Sequence, residues 1–149
     1  MRYFEDFPEG LEVDLGQVSL TEDEIVAFAR QFDPQPMHTD AVAARASIYG
    51  GLIASGWHTA GTYMRLLVDG VLGDSASVGS PGVDNLRWLK PVKPGDVLRA
   101  RLTVLEAKPS NSHPEWGIVR SRGEMTNQRD EIVMRVEAVN FFTRRMSGT

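Results

Sequence analysis

The chain has 149 residues, 16 Lys plus Arg against 20 Asp plus Glu, a formal charge of -4, 42% apolar and 24% charged residues, and no Cys. That is one domain's length and a globular composition, too apolar for disorder. Mild acidity without a basic block argues against nucleic acid and anionic membrane surfaces as partners; the lack of Cys excludes disulfides, zinc-thiolate sites, iron-sulfur clusters and thiol catalysis.

The opening MRYFEDFPEG has no apolar stretch behind a basic one, so no signal peptide is read there and a cytoplasmic location is expected. Val13, Leu15 and Val18 partly alternate with polar residues and suggest a strand over Glu12 to Leu20. Thr21-Glu22-Asp23-Glu24 has the form of a capping box, which predicts a helix to about Phe32. Its apolar face is Ile25, Phe28, Ala29 and Phe32. It must stop near Asp33, because Pro34 disfavours the helical conformation in the residue before it, and Pro36 does the same to Gln35. Asp33 to His38 is therefore expected to be a stiff, non-helical loop.

A short helix is expected around Asp40 to Ala46. From Gly51 to Val68 the sequence GLIASGWHTAGTYMRLLV carries one charged residue, Arg65, and reads as a helix buried on most sides. It is too short and too polar for a membrane span. Trp57, Tyr63 and Met64 are assigned to the core. Strands are expected over Val83 to Leu89, Val97 to Ala107, Trp116 to Thr126 and Ile132 to Thr143, separated by turns such as Lys93-Pro94-Gly95-Asp96. One buried helix and a long antiparallel meander make an α+β domain in which the sheet cradles the helix.

Two groups of residues could carry chemistry. In Asp33-Pro34-Gln35-Pro36-Met37-His38, a proline-stiffened loop can hold a carboxylate and an imidazole in fixed relation, as a general acid/base pair requires. The same residues also fit a turn-capping Asp beside an ordinary His. Along the buried helix, with Gly51 at 0° and about 100° per residue, Ser55, His58, Thr59 and Thr62 fall between about -20° and 80°. This polar side could line a cavity and bind substrate, with Gly50 and Gly51 leaving backbone N-H groups at the positive helix end. Alternatively, the hydroxyls bond back to carbonyls one turn earlier.

FDPQPMHTD, GGLIASGWHTAGTYMRLL and VDNLRWLKPVKPGDVL, in that order, resemble the MaoC-like dehydratases, the (R)-specific enoyl-CoA hydratase group of the hotdog fold. The resemblance runs from about Gly16 to Arg144. It implies that Asp33 and His38 are the catalytic pair, that the backbone N-H of Gly51, as helix-opening glycine, forms the oxyanion hole, and that Thr59 supports the pair. Gly50, Ser55 and His58 are the expected substrate-binding residues. The family commonly has Gly before the Asp and Asn two residues after it; here Phe32 and Gln35 stand there.

The resemblance further implies interconversion of a trans-2-enoyl-CoA and a 3-hydroxyacyl-CoA in fatty acid metabolism. Neither metal nor redox cofactor is expected, the CoA thioester being substrate, and the expected assembly is a homodimer or an even assembly of dimers. Arg65 and Arg87 are candidates for binding a carboxylate on the acyl group. A hotdog acyl-CoA thioesterase and a non-catalytic acyl-thioester-binding subunit are the competing readings.

Overall fold

The computed structural model describes residues 1–146. β1 (Glu12–Ser19) leads into α1 (Glu22–Phe32), and two short helices follow, α2 (Pro36–Thr39) and α3 (Ala41–Arg45). The long helix α4 (Gly56–Gly70) precedes β2 (Ser77–Trp88), β3 (Val97–Pro109), β4 (Trp116–Thr126) and β5 (Ile132–Thr143). All pairings are antiparallel, in the order β1-β3-β4-β5-β2. Only β3, β4 and β5 form a meander. β2 crosses to the far edge and pairs with β5, because α4 fills the concave side between the two ends of the sheet. This is the expected α+β hotdog arrangement, a sheet wrapped around a helix.

The core follows from strand alternation, with successive side chains on opposite faces. β3 turns Leu98, Ala100, Leu102 and Val104 inward, and β4 contributes Val119 and Met125. Against them α4 lays Tyr63 and Leu67, each 6% exposed. Tyr63 comes this close because the sheet has Gly123 opposite it, where a Cβ would fall 2.1 Å from the tyrosine Oη. Leu98 is fully buried, so Leu98→Ala would cost about 2–5 kcal/mol.

The α1 boundaries fall where the capping box and Pro34 put them. The Thr21 hydroxyl accepts from the Glu24 N-H, and the Glu24 carboxylate accepts from the Thr21 N-H. Of its expected apolar face, Ile25 and Ala29 are buried and Phe28 is half-buried, but Phe32 is 64% exposed. The helix ends there, and the Phe32 ring keeps the Phe28 ring as a neighbour, with centroids 5.1 Å apart. The Asp33–His38 loop also differs from expectation in its second half. Pro36 opens a helical turn, as proline can at the first helical position, where its missing N-H has no intrahelical role.

The largest departure concerns the apolar helix. It begins at Gly56, with Ser55 as its N-cap, and residues 52 to 55 are buried and lie outside any helix or strand. The Ile53 N-H donates to the Met37 carbonyl at 3.1 Å and the Ala54 N-H to the Val92 carbonyl at 2.8 Å. Those bonds tie the segment to Met37 and Val92 outside the helix, and the chain turns before it at Gly50, φ 70°, whose N-H donates to the Ser47 carbonyl. Trp57 and Met64, assigned to the core, are 59% and 48% exposed, because they face the groove between α4 and the edge strand β2. Among the described residues no helix is long and apolar enough to cross a membrane.

Candidate active site

Asp33 caps the end of α1, its N-H still bonded to the Ala29 carbonyl at 2.8 Å. Pro34 then turns the chain, and α2 brings His38 back beside it. His38 Nε2 lies 3.3 Å from Asp33 Oδ2, and His38 is 4% exposed. The other ring nitrogen, Nδ1, is 2.7 Å from the Ile53 carbonyl oxygen. A carbonyl only accepts, so Nδ1 carries a proton, and Nε2 is the nitrogen turned toward the carboxylate. The Ile53 carbonyl therefore both aligns the imidazole and holds a proton on Nδ1.

The carboxylate is held from two sides. Gln35 Nε2 donates to Asp33 Oδ1 at 2.6 Å, and Ser55 Oγ donates to Oδ2 at 2.7 Å. Both bonds favour the charged form, the Gln35 bond most, and His38 adds attraction; together they outweigh desolvation and hold Asp33 below the usual carboxylate range. Gln35 thus reaches the Asp33 carboxylate directly.

Asp33 and His38 open onto a cavity of about 350 Å³, lined also by Gln35, Met37, Tyr49, Gly56, Thr59 and Trp88. The Gly56 N-H opens α4, where the first N-H groups of a helix have no intrahelical acceptor and the helix dipole is positive. Gly56 also carries the close packing here, since a Cβ on it would lie 2.4 Å from the Trp88 indole. Trp88 in turn meets Trp57 edge-on, with ring centroids 5.1 Å apart.

Not every residue singled out in the sequence reaches this cavity. Gly51 lies five positions before α4, so it does not open the helix, and neither it nor Gly50 lines the cavity. The helix-opening glycine is Gly56, since hydrogen bonds to Met37 and Val92 keep Ile53 and Ala54 out of the helix. Ser55 is fully buried behind the wall and bonds to Asp33. Thr59 lines the cavity, but its hydroxyl donates back to the Ser55 carbonyl at 3.5 Å, and Thr62 does the same to His58 at 2.9 Å. His58 points away and stacks on Phe28, with centroids 4.6 Å apart. Neither Arg65, paired with Asp69, nor the exposed Arg87 lines the cavity. Gln35, noted in the sequence only as a departure from the family's pattern, and Trp88 were not among the expected site residues; the place of Gln35 between two prolines and the aromatic shortly before Lys90-Pro91 were the signals for them.

Residues 8–120 match the model of the MaoC like domain. The chain belongs to the MaoC-like family. The crystal structure of the MaoC-like dehydratase from Rhodospirillum rubrum superposes with a TM-score of 0.89 at 42% identity, covering 98% of this chain and 99% of that one. The (R)-specific enoyl-CoA hydratase of Rhodospirillum rubrum is 30% identical over 114 residues, 73% of this chain and 74% of that protein. Protein MaoC of Klebsiella aerogenes is 36% identical over 103 residues, 68% of this chain, which spans 30% of that protein's length. Within this MaoC-like chain, the segment 8–120 takes in Asp33, His38 and α4, together with the first half of β4.

Proposed function

We propose that this MaoC-like protein is a hydratase/dehydratase that interconverts a trans-2-enoyl-CoA and a 3-hydroxyacyl-CoA of R configuration. The observation that carries this reading is the Asp33 and His38 pair, Oδ2 to Nε2 at 3.3 Å, at a cavity which also exposes the start of α4. A carboxylate oxygen and an imidazole nitrogen at this separation are suited to sharing a water molecule. Hydration then proceeds by removal of one proton from that water, addition of its hydroxyl to the β carbon, and delivery of the proton to the α carbon. The pair ends in the protonation state in which it began, and dehydration follows the same path in reverse.

Negative charge builds on the thioester oxygen as the β carbon is attacked. The Gly56 N-H is the donor positioned to receive it, at the positive end of a 15-residue helix. The reading needs neither metal nor redox cofactor, since the chemistry is proton transfer and addition.

The active form in this reading is a homodimer. β2 is an edge strand with every residue but Leu86 exposed, Val78, Val83 and Trp88 among them. Beside it, an apolar groove includes Trp57 and Met64. An unpaired edge next to such a groove is suited to two-fold pairing with a second copy. Because Trp88 belongs to both the edge strand and the cavity wall, pairing there would also complete the site.

Loss of enoyl absorbance with a panel of trans-2-enoyl-CoAs tests the function. Hydration of at least one, abolished by Asp33→Asn, supports it. Release of free CoA without hydration would replace it with a thioesterase, and binding without turnover would replace it with a carrier role.

A further inference from the structure

The hydroxyl of Ser55 makes two bonds in opposite senses. It accepts from the Trp57 N-H at 3.3 Å, as the N-cap of α4, and it donates to Asp33 Oδ2 at 2.7 Å. The residue is fully buried, and the partners it joins lie in separate parts of the chain, the end of α1 and the start of α4. A serine that served only as a cap would have no need of a carboxylate partner 22 residues away. A serine that bound substrate would line the cavity, and Ser55 does not.

We propose that Ser55 is a positioning residue for the hydration reaction, which links the Asp33 carboxylate to the N-terminus of α4 and so fixes both its direction and its ionised state. The inference rests on the hydratase reading for its kinetic consequence, though not for its electrostatic one. An N-H that donates to a hydroxyl oxygen polarises that hydroxyl, making it a better donor to the next acceptor in line. The positive end of the helix thereby acts on Asp33 through a single side chain. The bond also fixes Oδ2, the oxygen that faces His38 Nε2, while Gln35 holds Oδ1. The charged and titratable groups around the carboxylate are His38 from α2 and, across the cavity, Tyr49 and Lys90, the last paired with Glu131 at 3.5 Å.

Ser55→Gly separates positioning from capping. Glycine caps a helix nearly as well as serine, whereas alanine does not, but neither can donate to Asp33. Two quantities are to be measured on wild type, Ser55→Gly and Ser55→Ala: the titration of the Asp33 carboxyl by carbon-13 NMR, and the pH profile of kcat/KM for the best enoyl-CoA. The expected result is that Asp33 titrates at higher pH in both variants, that the acid limb of the profile moves the same way, and that kcat falls roughly tenfold with little change in KM. Ser55→Thr, which keeps a hydroxyl, should restore the Asp33 titration. A Ser55→Gly protein that titrates and turns over like wild type would reduce Ser55 to a cap and overturn the proposal. If wild type hydrates no enoyl-CoA while the Asp33 titration still moves in Ser55→Gly, the hydratase reading fails and the electrostatic link stands.

Discussion

The Ile53 carbonyl accepts the Nδ1 proton of His38 at 2.7 Å, which leaves Nε2 as the only nitrogen that can act on a substrate or water, 3.3 Å from Asp33. One backbone group thus decides what the imidazole can do. It also separates the expected behaviour of substitutions at Asp33 and His38, if the proposed hydration runs through both. Asp33→Asn keeps the shape and removes the base, so turnover should fall roughly 10²-fold or more with little change in melting temperature. His38→Ala should lower turnover as much and also cost about 1–3 kcal/mol of stability, because it leaves the buried Ile53 carbonyl unpaired. Steady-state kinetics and thermal melts on both variants check this; equal stability of the two would contradict the role given to Ile53.

Gly56 and Trp88 should behave as a coupled pair. A methyl group at Gly56 meets the indole at 2.4 Å, so Gly56→Ala must displace Trp88 or strain the start of α4. We expect Gly56→Ala to destabilise the protein by about 1–3 kcal/mol and the same substitution in a Trp88→Ala background to cost less. A double-mutant cycle by denaturant unfolding measures the difference, and strict additivity would show that the ring moves aside freely.

Assembly should depend on the free edge of β2. Val83 is 57% exposed on that strand, so Val83→Lys should disfavour pairing of two edges while leaving the monomer core untouched. Light scattering across a dilution series should show a dimer for wild type and a monomer of lower activity for Val83→Lys. A fully active wild-type monomer of 16.5 kDa would show that one chain completes the cavity by itself.

His58 should make the fold sensitive to mild acid. Burial against Phe28 lowers its pKa, partly offset by the nearby Glu24, and its buried Nδ1 meets no hydrogen-bond partner among the described residues. The folded protein therefore binds the proton less readily than the unfolded chain. Stability is complete above the ordinary histidine value of about 6.5 and is lost as pH falls through the lowered folded value. In His58→Phe, which keeps the stack and cannot titrate, the melting temperature should fall less between pH 7.5 and pH 5 than in wild type. Parallel declines in the two proteins would assign the acid sensitivity to other groups.

The sequence by itself determined the elements whose signals are local. Thr21 and Glu24 fix where α1 begins because they bond to each other's backbone, and Pro34 fixes where it ends by steric exclusion. β4 and β5 ran between the expected residues because their alternation and turns are properties of neighbouring positions. Asp33 and His38 could be singled out because they bound a loop with two prolines, but the loop alone left a turn-capping Asp and an ordinary His also open, and only the family resemblance implied a joint role.

Tertiary structure decided the rest. Leu52 to Ser55 continue the apolar run that reads as helix, and hydrogen bonds of Ile53 and Ala54 to Met37 and Val92, 16 and 38 residues away from their partners, hold them outside it. That choice moved the start of α4 from Gly51 to Gly56 and turned Ser55 from a cavity residue into the partner of Asp33. The place of β2 beside β5 and the contact of Trp88 with Gly56 were likewise hidden, since both depend on how the sheet closes around α4. Pairings between distant segments are selected by burial and by the satisfaction of backbone groups over the whole fold, and no local pattern of residues encodes them.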